Sequence, residues 1–123
     1  MECLFCKIAQ GQQKADIVYQ DKDIVAFKDI NPIAPVHILI IPVKHISDIS
    51  QITKKDINLM GQMIFVAKEL AQKFNTDQEG YKLLFRVKKH GGQVVDHIHL
   101  HLIGGALLYE EIRPLAEGGE KNG

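Results

Sequence analysis

Residues 94–105 read VVDHIHLHLIGG, and the alternation in that stretch restricts the chain more than any other feature. A period of two is that of a β-strand, whose side chains turn to opposite faces at successive positions. His97, His99 and His101 share one face; Ile98, Leu100 and Leu102 share the other. The apolar face must bury against a core, which leaves the imidazoles toward a cleft or water. Rungs on one face are spaced by ~7 Å, twice the rise per residue. That spacing allows a polar face that happens to use histidine, a metal site, or contact of adjacent rungs with one ligand.

The neighbourhood favours the last. Gly91 and Gly92 precede the ladder in KKHGGQVV, where glycine lets backbone amides approach an anion. Imidazole attacks phosphorus as a nucleophile and carries protons near neutral pH. Phosphoryl or nucleotidyl transfer through a covalent histidine is therefore the expected chemistry. No carboxylate-rich cage of the kind that holds magnesium is visible, so no catalytic metal is required.

The other segments set the fold class. CLFCKIAQG is a short helix stopped by Gly11, and DIVYQ and DIVAFKD form a hairpin across a polar turn. NPIAP is a loop, and VHILIIP is an apolar strand. Residues 53–75 predict a long helix with Thr53 and Asp56 as a capping box and Ile57, Met60, Ile64, Ala67, Ala71 and Phe74 as its apolar stripe. YKLLFRV and QVVDHIHLHLIGG are the last two strands. The order is helix, three strands, helix, two strands, hence α+β with a largely antiparallel sheet.

The 123 residues point to one domain, 1–123, with a core at 3–105 and a tail at 106–123 whose glycine-rich end, AEGGEKNG, is expected to be loose. Net charge is +0, which argues against a nucleic-acid partner. No run approaches a membrane span, and the N-terminus lacks a signal-peptide pattern, so the expected location is cytoplasmic. Cys3 and Cys6 are then not expected to form a disulfide. Their spacing suits zinc with histidines completing the set, or two small buried thiols.

Together, GGQVVDHIHLHLIGG, DINPIAPVHILIIPVKHISDIS and CLFCKIAQG resemble the histidine triad family over residues 3–105, and the nucleoside phosphoramidase branch in particular. The resemblance implies a homodimer whose two five-stranded sheets join into one of ten, through the long helix and YKLLFRV. It implies hydrolysis of purine nucleoside 5′-phosphoramidates, with dinucleoside polyphosphate hydrolysis or nucleotide-binding regulation as alternatives. His99 matches the nucleophile, His101 the rung on the phosphate oxygens, and His37 a supporting histidine. Asp29 matches the ribose-binding carboxylate; Leu4, Phe5, Ile8, Phe27 and Ile30 match the base slot; Gly92, Gln93 and Val94 match the phosphate loop. Cys3, Cys6, His45 and His97 match the ligands of a structural zinc.

The chain departs from the family pattern at three places. Arg86 stands where Asn is usual, and is expected either to bind phosphate or leaving group or to point outward. Val94 stands where a hydroxyl or Glu is common, and Gln13-Lys14 replaces a frequent Ile-Pro pair.

Overall fold

A computed structural model describes residues 3–115. The order is α1 (Leu4–Ala9), β1 (Ile17–Gln20), β2 (Ile24–Lys28), β3 (Val36–Pro42), α2 (Ile57–Lys73), β4 (Tyr81–Phe85) and β5 (Leu100–Gly104). The strands form one antiparallel sheet in the order β1-β2-β3-β5-β4. The expected α+β class and element order are therefore observed. The segment AEGGEKNG lies outside the described residues.

Register sorts the sheet's faces. Leu39 of β3 and Leu84 of β4 both oppose His101 of β5, and Phe27 of β2 opposes Leu39. Directly opposed residues share a face, so these side chains line one surface with His37, two positions from Leu39. Ile38, Ile40, Leu100 and Leu102 point the other way and pack with Met63, Val66, Ala67, Leu70 and Ala71 of α2. A second apolar cluster on the histidine side joins Phe5 and Ile8 of α1 to Val25, Phe27, Leu39 and Ile41. The sheet thus separates a large core under α2 from a smaller one under α1.

Three expectations need correction. The long helix begins at Ile57; Lys54–Asp56 form a 3-10 turn, with the Thr53 amide donating to Asp56 Oδ2 at 2.8 Å. Of the expected stripe, Ala67 and Ala71 are buried and Met60 and Phe74 pack against the core, whereas Ile57 and Ile64 are exposed with Phe65; Met63, Val66 and Leu70 complete the buried side. The helix carries apolar residues on two sides, and periodicity alone does not say which side meets the sheet. The last strand is also shorter than QVVDHIHLHLIGG: pairing starts at Leu100. Before that, His97 N–H turns back to Val95 O at 2.9 Å and Ile98 N–H donates to Ile46 O at 2.7 Å.

Candidate active site and metal centre

The histidines do not face open water. His97 is 0% exposed, and His99 and His101 are 7% exposed. The expected open face is covered because α1 lies over it: the Phe5 ring meets His99 edge-on at 5.0 Å and His97 at 6.0 Å. The rungs are also closer than a flat strand would give, with His99 and His101 ring centroids 5.0 Å apart.

Backbone groups assign each ring's tautomer. His99 Nδ1–H donates to the His97 carbonyl at 2.7 Å, so its Nε2 carries the lone pair. Nδ1 of His37 accepts from Ile33 N–H at 3.2 Å, so its Nε2 holds the proton. That nitrogen lies 3.0 Å from Nδ1 of His101 and 3.3 Å from Asp29 Oδ2. Nδ1 of His101 therefore accepts, and its Nε2–H is a donor, buried and with no partner among the described residues. A basic nitrogen and an unspent donor stand side by side on adjacent rungs.

Electrostatics keep these rings neutral. Burial is the first cause lowering the pKa of His37, against the pull of Asp29. Burial likewise lowers His99, opposed by its bond to the His97 carbonyl. Burial, then the His99 and His37 rings and Arg86, bring His101 down to about 4.

Phe5, Ile8 and Phe27 form a buried apolar floor, with Phe5 and Phe27 edge-to-face at 5.4 Å. Leu4, 47% exposed, and Ile30, 90% exposed, stand at the surface. Oδ1 of Asp29 accepts from Asn31 N–H at 2.8 Å, which anchors the carboxylate at the end of β2.

The glycine loop is held by Gln93 rather than offered by it. Its side-chain amide donates to Ser47 O at 2.7 Å and Val95 O at 2.9 Å and accepts from Lys88 N–H at 2.8 Å; its own N–H donates to Lys88 O at 3.0 Å. With its donors so committed, Gln93 shapes the loop. Gly92 has φ of 81°, the left-handed region. Val94 is 89% exposed and brings no polar side-chain atom. Arg86 is exposed, and its Cδ and Nη1 come within 3.7 and 3.8 Å of where a Gly92 Cβ would stand.

A second constellation adjoins the first. The ligand atoms of Cys3, Cys6, His45 and His97 all lie within 4.8 Å of one another, a group that could hold a metal ion. His97 Nε2–H donates to Pro42 O at 2.8 Å, which turns the Nδ1 lone pair toward the cysteines. Nδ1 of His97 is 3.4 Å from Cys3 Sγ, 3.5 Å from Cys6 Sγ and 3.2 Å from His45 Nδ1; Cys6 Sγ is 3.2 Å from His45 Nδ1. Tetrahedral zinc with Zn–S about 2.3 Å and Zn–N about 2.0 Å has S–N edges of about 3.5 Å and N–N edges of about 3.3 Å. The donor set therefore fits that ion. Burial, with the Cys3 thiol beside it, pushes the Cys6 thiol up to about 11.

The residues expected from the ladder and the cysteine pair are thus brought together. The ones left out are backbone groups: the carbonyls of Pro42, His97 and Ser47 and the amide of Ile33. Nothing in residue type marks such groups; only the fold reveals them.

A histidine ladder running into the sheet beside a glycine loop, under a short helix with an apolar floor, defines an α+β domain of the histidine triad class. The family described as "Scavenger mRNA decapping enzyme C-term binding" matches residues 2–110. The chain is 43% identical over 104 residues to a purine nucleoside phosphoramidase of Escherichia coli strain K12, covering 85% of this chain and 87% of that one. It is 50% identical to a HIT family hydrolase structure from Legionella pneumophila, with a TM-score of 0.86 over 88% of this chain and 96% of that one. A zinc-bound histidine triad protein from Mycobacterium smegmatis has a TM-score of 0.73 at 28% identity, over 85% of this chain and 75% of that one. The protein belongs to the histidine triad (HIT) family.

Proposed function

We propose that this protein hydrolyses purine nucleoside 5′-phosphoramidates through a covalent nucleotidyl-histidine. The observation that carries it is the pairing of His99, whose Nδ1–H is held by the His97 carbonyl at 2.7 Å, with the partnerless Nε2–H of His101. Phosphorus seated between them meets a nucleophilic lone pair and a donor for its oxygen. The 43% identity to the E. coli phosphoramidase supports this choice of substrate.

His99 Nε2 forms a bond to the α-phosphorus as the P–N bond to the amine breaks. Because Val94 provides no side-chain donor, the leaving nitrogen takes its proton from water. Water then adds to phosphorus, releases the nucleoside monophosphate and restores His99, its surplus proton returning to solvent. His101 holds a phosphate oxygen throughout, steadied by His37. Asp29 at the end of β2 accepts from the ribose hydroxyls, and the base lies against the Phe5–Phe27 floor, flanked by Leu4, Ile8 and Ile30. Gly92 lets the loop backbone approach the phosphate.

Cys3, Cys6, His45 and His97 hold a structural zinc in this proposal; bound, the ion pins α1 to the ladder and takes no part in the reaction. Thiols serving as ligands suit a reducing compartment such as the cytoplasm. No helix among the described residues is long and apolar enough to cross a membrane. A homodimer joined through β4, an edge strand, and α2 gives the exposed Ile64 of that helix a partner.

The test is rapid quench with α-phosphorus-labelled adenosine 5′-phosphoramidate. Wild type is expected to carry acid-labile label on protein and His99→Ala none; equal labelling of both would move the nucleophile elsewhere. Comparing turnover of this substrate with that of a dinucleoside polyphosphate separates the two activities.

A further inference from the structure

The sheet order places one cation where the mechanism above leaves a substituent unaccounted for. Asp29 and Phe27 are on or just beyond β2, His37 is on β3, and the phosphorus-directed rungs lead into β5. With the nucleoside over β2 and β3, the third substituent on phosphorus extends toward β4. There Leu84 opposes His101 and Phe85 opposes Leu100. Arg86 follows that last pair on one strand and His99 precedes it on the other. Neighbouring strands are about 4.8 Å apart, a distance an arginine side chain spans.

Two further observations hold Arg86 in that position. Its side chain lies along Gly92, a residue without a side chain to obstruct it. Its charge also acts on His37, His99 and His101. Yet among the described residues it makes no hydrogen bond and no ion pair, whereas Lys82, the other cation of that strand, is paired with Glu110 at 2.7 Å. The nearby Lys88 and Lys89 are exposed and add positive charge at the same rim.

We propose that Arg86 reads the leaving group and selects phosphoramidates whose amine carries a carboxylate, as in a purine nucleoside monophosphate joined through nitrogen to the α-amine of an amino acid. The proposal rests on the phosphoramidase assignment for its chemistry: the same P–N bond breaks and the amino acid departs with a proton from water. A guanidinium fork accepts a carboxylate two-pronged, and a neutral ester or amide offers it no such match.

The experiment compares kcat/KM for adenosine 5′-phosphoramidate of alanine with that for its methyl ester, in wild type and Arg86→Gln. Binding of both compounds is also titrated to His99→Ala and to His99→Ala with Arg86→Gln. Wild type is expected to favour the acid by about tenfold or more, the factor that accompanies loss of one charged hydrogen-bonded pair. Arg86→Gln is expected to erase that ratio. An equal fall for both compounds would assign Arg86 to the phosphate and overturn the proposal, as would an ester preferred or matched by wild type. Absence of turnover with a retained Arg86-dependent binding ratio would reject the phosphoramidase assignment while supporting the role of Arg86. Absence of binding would overturn both.

Discussion

At the scale of residues, each histidine takes its role from what its second nitrogen is bound to. His99 and His97 donate to carbonyls, and His37 accepts from an amide, so the three rings present a lone pair at Nε2, a lone pair at Nδ1 and an N–H at Nε2 respectively. The pH behaviour follows. His101, held down to about 4, is neutral in the folded protein where the unfolded chain already binds a proton, near 6.5. Its contribution to stability is complete above pH 6.5 and is lost as pH falls from there toward about 4. Thermal melts between pH 7 and 4.5 are expected to fall less steeply for His101→Gln than for wild type. Gln93 allows a second test. Gln93→Ala strands the carbonyls of Ser47 and Val95 and frees Lys88 N–H. At about 1 kcal/mol per lost bond, melting should reveal a stability loss of about 2–3 kcal/mol, with KM for the phosphoramidate raised as the loop loosens.

At the scale of elements, α1 is too short to be stable by itself and depends on what it docks against. Phe5 contacts Phe27, His97 and His99, and Phe5→Ala is expected to cost about 3–5 kcal/mol, as deletion of a buried ring does. Chemical denaturation measures it. Removal of metal from the zinc-loaded protein by a strong chelator is expected to lower the melting temperature and expose the N-terminal helix to protease; Cys6→Ser should reproduce both effects with no chelator. The elements also show what a sequence discloses and what it does not. Alternation identified the ladder because Ile98, Leu100 and Leu102 need one face, and Gly11 and Pro42 marked real ends. The true start of β5 was hidden because His97 and Ile98 bond to Val95 and Ile46, partners chosen by tertiary contact. Ala67 and Ala71 of the expected α2 stripe are buried, whereas Ile57 and Ile64 face outward although they satisfy the same spacing as Met63 and Leu70. Burial of the histidines depended on α1 crossing over them, and no local pattern encodes that crossing.

At the scale of the whole molecule, the exposed apolar side of α2 and the open edge at β4 bear on assembly. In the proposed homodimer, Ile64→Asp introduces a charge on the exposed apolar side of α2. Sedimentation at micromolar concentration is expected to show a dimer for wild type and a shift toward monomer for this variant; two identical profiles would place the contact elsewhere. Within one subunit, the larger core lies on the face of the sheet away from the imidazoles. Met63, Leu70 and their neighbours under α2 touch the strand residues that alternate with the imidazoles, not the imidazoles themselves. An inert copy made by replacing His99 alone should therefore retain its shape and its nucleotide slot. Immobilised, such a copy becomes bait that captures its natural ligand from a metabolite extract and releases it uncleaved for identification.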